Sequence, residues 1–387
     1  MVLKLSKNLR KSLLRGHPWV YRQALDSNVL TQAQVKAHKT VALKDTKNQF
    51  VGWGYYDSQS PIAFRMIRLG ADRPNAAFYQ QQMTRALKAR ESFISPSTNC
   101  YRLFNGEGDG LPGLVCDVYN KIAVLQCDGY GAEQFWSKEK IGAWLVDQKV
   151  AESVIFKPRQ KNAQHVFGAK APQYIEILEN DQRFEVDLIQ GQKTGFFLDQ
   201  RDNRKYVQSL SDKKNVLNLF SYTGGFSIYA ASGGASSVTS VDISQKATDQ
   251  LQKNITLNNF DPKAHQVVTE DVFEYIDQNK NTKWDLVVVD PPSMAPSESA
   301  KPQAIKKYIE IFAKASKQVT PGGDICFSSC SSHISFEDFS FIIQEALSQV
   351  RRNGYVCRVS GQGSDHPFPV SCPELQYLKF VHVRMVE

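Results

Sequence analysis

The chain has 387 residues, 42% of them hydrophobic and 22% charged, with a formal net charge of +8. That is a globular composition, long enough for a sizeable core, and no apolar run of about 18 residues offers a transmembrane helix. Seven cysteines (Cys100, Cys116, Cys127, Cys326, Cys330, Cys357 and Cys372) form no CxxC pair, which argues against a disulfide framework or a zinc site and for a reducing, cytoplasmic setting. The start of the chain, MVLKLSKNLRKSLLRGHPW, is basic but lacks the apolar centre of a signal peptide.

The positive charge is concentrated at one end. Residues 1–70 hold twelve Lys/Arg against three Asp, and the remainder is close to neutral. A basic block on a neutral body suits a module that faces nucleic acid. Within it, TVALKD (40–45), QFVGWGYYD (49–57) and IAFRMIRL (62–69) read as short strands separated by turn residues. The preceding stretch, GHPWVYRQAL (16–25), resembles the signature of PUA domains, small pseudo-barrels that bind structured RNA. Arg10, Lys11, Arg15 and Arg22 interleave with Trp19 and Tyr21, a mixture that suits phosphate contacts and base stacking. Trp19 itself reads better as a barrel core residue. We place a PUA-like RNA-binding domain at residues 1–72.

Residues 73–187 read as an α+β middle domain. NAAFYQQQMTRALKARESF (75–93) has helical spacing. CYRLFNGEGDGLPGLVCDVYNKIAVLQCD (100–128) reads as strand, glycine-rich turn and two further strands. The NGEGDGLPG turn reads as a tight hairpin at a domain interface rather than a ligand cradle. Residues 133–149 read as a helix and 153–158 as extended. Two strands follow in 174–189, turning around Glu179 to Gln182.

From residue 188 to 387 strands and helices alternate: NVLNLF, SVTSVD, AHQVVTED, DLVVVD and GDICFSSC are the strand candidates. That is a Rossmann-like, doubly wound α/β domain with a mostly parallel sheet. In such sheets a ligand lies beyond the carboxyl ends of the strands, so the tips matter. The first tip is SYTGG, a glycine turn opening a helix. The second is Asp242, eighteen residues beyond Gly224, where a ribose is gripped in nucleotide-binding folds. At the third, Asp271 can accept a hydrogen bond from an adenine amino group. The fourth is VVVDPPS, with Asp290 held on a backbone stiffened by two prolines. The fifth is SSCSS, with Cys330 between serines, whereas Cys326 sits between Ile325 and Phe327 and reads as packed core.

YTGGF is not the GxGxxG of a dinucleotide site, and hydride transfer has no use for Asp-Pro-Pro. In this order the five tips resemble a class I S-adenosylmethionine-dependent methyltransferase. Together with QKTGFFLDQRDNR (192–204), GHPWVY, GEGDGLPGLVCDVY and HPFPVSCPELQYLK, they resemble the large-subunit (23S) ribosomal RNA cytosine-C5 methyltransferases that carry an N-terminal PUA domain. The resemblance spans essentially the whole chain.

It implies S-adenosyl-L-methionine as cofactor, no metal, and 23S rRNA as partner, with no membrane and with a homodimer suggested by PUA-containing relatives. It implies a cofactor site of Lys193, Thr194, Phe197, Asp199, Gln200, Phe220, Tyr222, Thr223, Gly224, Gly225, Phe226, Asp242, Ile243, Asp271, Val272 and Asp290. Cys330 is the expected nucleophile, because cytosine C5 is unreactive until a thiolate adds at C6. Asp290 is expected to orient the base. Arg201 and Arg204 are expected to join Arg10, Lys11, Arg15 and Arg22 against RNA phosphate.

Two positions depart from the related pattern. Asn218 stands where relatives commonly have Asp at the first strand end. Ser293 follows the proline pair where two-cysteine cytosine methyltransferases carry a second Cys, so the base that takes the C5 proton is unassigned among Asp290, His333 and His366. Two other readings stay open on the sequence: an rRNA guanine N-methyltransferase that makes no use of Cys330, and a non-catalytic RNA-binding assembly factor on the same fold.

Overall fold

A computed structural model describes residues 2–27, 39–158 and 163–386. The chain folds into two compact units. The first comprises 1–177, 186–198 and 364–375; the second comprises 178–185, 199–363 and 376–387. These boundaries differ from the expected ones at 72/73 and 187/188. The basic module and most of the middle α+β region fall in the first unit, residues 178–185 fall in the second, and a late segment returns to the first.

The first unit holds two sheets. Strands β1 (Val2–Lys4), β2 (Trp19–Tyr21), β3 (Val41–Lys44), β4 (Phe50–Tyr56) and β5 (Ile62–Leu69) lie in the order β1-β3-β4-β5-β2. Leu3, Val20, Leu43, Val51 and Phe64 fill their core. Strands β6 (Cys100–Asn105), β7 (Leu114–Tyr119), β8 (Ile122–Cys127), β9 (Ser153–Phe156) and β10 (Gln164–Gly168) form the second sheet, in the order β10-β9-β8-β7-β6. Helix Ala76–Phe93, capped by Asn75 on the Phe78 amide, buries Met83 and Ala86 in that second core.

What joins the two sheets is a buried ion pair. Glu107, in the short helical turn Gly106–Asp109, accepts from Arg65 of β5 at 2.5 Å and from the Trp19 indole at 2.7 Å. Both charged side chains are at most 5% exposed. The GEGDG turn is thus an interface clasp, and Trp19 is a core residue.

A hairpin of β11 (Tyr174–Glu179) and β12 (Gln182–Asp187) leads into the second unit. Its sheet contains β13 (Asn215–Leu219), β14 (Ser237–Asp242), β15 (His265–Thr269), β16 (Trp284–Val289), β17 (Val319–Ser329), β18 (Gly354–Ser360) and β19 (Lys379–Met385). The order is β15-β14-β13-β16-β17-β19-β18, parallel except for β19, which runs against β17 and β18. β16 and the upper part of β17 read as unbroken apolar runs because helices cover both faces. Leu217, Val287, Val289, Ile325 and Phe327 pack on one side; Val216, Leu286, Val288 and Cys326 pack on the other. Cys326 is core, as its neighbours indicated. The chain order reverses between β13 and β16, and a crevice opens at such a switch point.

Candidate active site

Strand register sets the site. Leu219 lies level with Val241 on one side and Val289 on the other, and Val289 lies level with Phe327. One residue further along each strand therefore come Phe220, Asp242, Asp290 and Ser328. Cys330 follows two residues after Ser328, past the end of β17. Four of the five sequence-assigned tips thus end at one level, and the fifth adjoins them, since Asp242 pairs with Thr269 just before Asp271.

The turn after β13 is tightly wound. Phe220 (φ +59°), Tyr222 (φ +48°) and Gly224 (φ +85°) all occupy the left-handed region, which a large side chain enters only when its surroundings compel it. Asp242 supplies part of that compulsion. Its carboxylate accepts from the Tyr222 amide at 2.8 Å and from the Ser244 amide at 2.9 Å. Gly224 suits its φ of +85°, and a Cβ there would lie 2.0 Å from Leu251 Cδ1 of the helix Gln245–Leu257.

Several groups here fit a nucleoside-bearing ligand. Asn218 is buried at the β13 tip, and its amide nitrogen donates to Ser227 Oγ at 2.8 Å. Its Oδ1 is left without a partner, and so is Ser221 Oγ in the turn. Buried acceptors are rarely orphaned, and an ammonium is the kind of donor each is able to take. Ile243 is 70% exposed directly after Asp242, an apolar face beside the carboxylate at the β14 tip. Val272 and Phe226 point into the core, Phe226 stacking on Phe380. Thr223 uses its carbonyl to accept from Asn254 at 2.9 Å. Asp271 Oδ1 caps the helix Val272–Gln278 through the amides of Phe273 and Glu274.

The fourth and fifth tips are bound together by Gln200, expected in the cofactor site, and by Ser331. Gln200, fully buried, donates to Asp290 Oδ2 at 3.0 Å and to Ser328 Oγ at 2.9 Å, and is itself held by Asn203 at 2.7 Å. It therefore aims the Asp290 carboxylate. Ser331 Oγ gathers the Met294 amide (3.1 Å), the Ala295 amide (3.3 Å), Ser293 Oγ (3.2 Å) and the Tyr308 hydroxyl (2.9 Å). The segment after Asp-Pro-Pro is thereby stapled to the residue following Cys330. Ser329 and Ser331 are buried, and Cys330 between them is part-exposed. Cys330 is thus not packed away as Cys326 is.

Lys379, which sequence reasoning passed over, begins β19 opposite Ser329. Its side chain is 0% exposed, and Nζ donates to the carbonyls of Ser331 at 2.6 Å and Tyr377 at 2.8 Å. Burial pushes this ammonium down to about 8, against the opposing pull of Cys330 and Asp338. The available signal was a lysine heading an otherwise apolar strand, KFVHV.

A family model described as S-adenosylmethionine-dependent methyltransferase matches residues 133–365, well over half of the chain. The chain belongs to that family. A second model, of a PUA-like domain, matches residues 3–68. The methyltransferase is 34% identical to "Ribosomal RNA large subunit methyltransferase" of Deinococcus radiodurans, across 99% of this chain and 97% of the relative. It is 33% identical to "Ribosomal RNA large subunit methyltransferase I" of Alteromonas mediterranea, across 95% of each. Among solved structures, a protein of Streptococcus mutans assigned as a SAM-dependent methyltransferase superposes with a TM-score of 0.85 at 25% identity, covering 99% of this chain and 100% of that one. Another, complexed with S-adenosylhomocysteine, superposes at 0.86 with the same identity and coverage. S-adenosylmethionine is therefore the cofactor, and Asn218, Ser221, Asp242 and Ile243 are the groups of this methyltransferase that suit it.

Other assigned residues of the methyltransferase turn out to be committed elsewhere. Arg204 is buried, and its guanidinium makes paired 2.7 Å bonds to Glu179; it holds the hairpin to the helix Arg201–Leu210 and does not face RNA. Arg201 is buried as well. Asp199 accepts from the Tyr377 hydroxyl at 2.7 Å. In the first unit, Thr194 is fully buried and hydrogen-bonded to Asp117 and Tyr119, which makes it an anchor for its loop. Lys193 lies over the Phe197 ring at 4.4 Å.

Of the basic residues near the start, Arg10 pairs with Asp45 at 3.1 Å. Arg22 bonds the Tyr56 hydroxyl and the carbonyls of Asp57 and Ser60. Lys11 and Arg15 are exposed. The two histidines are placed structurally: His366 is buried against Asp365 at 2.9 Å, and His333 reaches Glu298 at 3.3 Å. Among the described residues no helix is long and apolar enough to cross a membrane.

Proposed function

We propose that this methyltransferase modifies C5 of a cytosine in large-subunit ribosomal RNA, with Cys330 as the nucleophile. The observation that carries the reading is the part-exposed Cys330 just past the end of β17, the strand paired with the β16 strand that runs into Asp290. The names borne by relatives aligned over nearly their whole length support the RNA class.

S-adenosylmethionine supplies an electrophilic methyl group on sulfonium sulfur. The protein must make C5 nucleophilic. The Cys330 thiolate adds to C6, and the electron pair of the C5–C6 double bond moves to C5, which forms the new carbon–methyl bond. Loss of the C5 proton to a base then restores the double bond and expels the Cys330 sulfur as thiolate. Asp290, aimed by Gln200, accepts from the cytosine amino group or a protonated N3 and so favours the electron-poor ring that sulfur attacks. C6 is inaccessible in a stacked duplex, so the target base is flipped out or single-stranded. Exposed Lys11 and Arg15 are the basic-module residues best placed to meet phosphate.

The test is Cys330→Ala. It is expected to bind S-adenosylhomocysteine as the wild type does and to lose methyl transfer to ribosomal RNA. Undiminished transfer would remove the cytosine-C5 mechanism and favour methylation of an exocyclic amino group, which needs Asp290 alone.

A further inference from the structure

The mechanism above leaves one buried charge without a task. A lysine with no solvent exposure is costly, and Lys379 is such a residue in a sheet whose other inward positions are mostly apolar. Its neighbours define what it can do. Nζ holds the Ser331 carbonyl at 2.6 Å and the Tyr377 carbonyl at 2.8 Å. The first of these belongs to the residue after Cys330, whose own hydroxyl staples the segment following Asp-Pro-Pro.

The charged and titratable groups around it come from three elements. Cys330, at the end of β17, acts on it electrostatically, as does Asp338 in the helix Phe336–Gln349. Asp338 is already paired with Lys301 at 2.8 Å. Tyr308, in the helix Lys301–Lys317, faces the same turn through Ser329 and Ser331, and burial raises its hydroxyl. With Asp338 paired to Lys301, the titratable group left to interact with Lys379 is the Cys330 thiol.

We propose that Lys379 is a positioning residue for Cys330: its buried ammonium fixes the turn after β17 through the Ser331 carbonyl and favours the thiolate at the adjoining sulfur. This rests on the assignment of Cys330 as nucleophile. A thiolate is the attacking form, and a nearby fixed cation shifts the thiol toward it. The same cation matters again at the end of the reaction, when the sulfur departs from C6 as an anion. A neutral hydrogen-bond donor at this position would keep the turn and lose the electrostatic part.

The measurement is the pH profile of iodoacetamide alkylation at Cys330, followed by peptide mass mapping on the full chain. Exposed Cys357 serves as an internal reference. In the wild type, Cys330 is expected to reach half-maximal reactivity at lower pH than Cys357. In Lys379→Gln the Cys330 midpoint is expected to rise by about one pH unit or more, with Cys357 unchanged, while Lys379→Arg keeps the wild-type midpoint. Equal midpoints for Cys330 in Gln, Arg and wild-type proteins would overturn the proposal. So would a wild-type Cys330 that titrates above Cys357, a result that needs no variant to fold. Because alkylation does not depend on turnover, this outcome is separable from a Cys330→Ala protein that keeps full activity, which removes the nucleophile itself.

Discussion

At the level of single residues, the site is a set of side chains whose neighbours leave them one thing to do. Asn218 donates to Ser227 and keeps an orphaned buried oxygen. A neutral amide oxygen still accepts from an ammonium. Asn218→Leu is expected to weaken S-adenosylhomocysteine binding by about tenfold in calorimetry, the cost of one lost buried hydrogen bond; an unchanged affinity would show that the oxygen meets no ligand.

Lys379 makes a second residue-scale prediction. Its folded value of about 8 lies below the ordinary 10.5. Between those two pH values the unfolded chain binds the extra proton, so stability attributable to this residue rises with pH across that window and is flat below it. Measured by urea unfolding, the wild type is expected to gain on Lys379→Gln by about 3 kcal/mol between pH 7.5 and pH 10.5. A constant difference would mean that the ammonium is not desolvated.

At the level of elements, the sheet is pinned at the end opposite the site. Asp324, buried in β17, receives His382 at 2.9 Å and Arg384 at 2.9 Å from β19, and also Lys214 at 2.5 Å. Burial alone would raise this carboxyl, but the bonds from His382, Arg384 and Lys214 outweigh it and hold the group well below the usual carboxylate range. A depressed carboxyl stabilises the fold above its unfolded value and loses that contribution as pH falls. Asp324→Asn is expected to cost about 3 kcal/mol at pH 7, because Arg384 and Lys214 lose their anion and His382 its carboxylate partner. The deficit should shrink progressively as the wild type is titrated to acid pH in denaturant melts.

The parallel strands were legible because β13, β14, β16 and β17 are short apolar runs bounded by glycine, proline and serine. The tips followed from them, since a strand's last residue is where its hydrophobic run stops. Gln200, Ser331 and Lys379 were not legible in the same way. Their roles depend on partners 90, 37 and 48 residues away, and no local spacing encodes such pairings. Arg204 and Thr194 failed for the complementary reason. Both sit in a motif rich in functional chemistry, yet each is consumed by a buried partner, Glu179 and Asp117, contributed from elsewhere in its unit.

At the level of the whole molecule, the basic excess and the proposed chemistry lie in different parts of the chain. The basic excess lies in the module at residues 1–70, yet only part of it is available, because Arg10, Arg22 and Arg65 hold the module together or bind it to the second sheet. Lys11→Ala with Arg15→Ala is expected to weaken binding to ribosomal RNA and to reduce the slope of log affinity against log salt by about 1.4 to 1.8, with S-adenosylhomocysteine affinity unaltered. An unchanged salt slope would move the phosphate contacts off this helix.

The central claim is a covalent bond between Cys330 and C6 of a cytosine. An RNA substrate carrying 5-fluorocytidine tests it most directly, because fluorine at C5 cannot leave as a proton does and the adduct persists after methyl transfer. With S-adenosylmethionine present, the account predicts a stable protein–RNA species whose digestion places the methylated nucleotide on Cys330. A methylated RNA released without any adduct, or an adduct on a different residue, would contradict it.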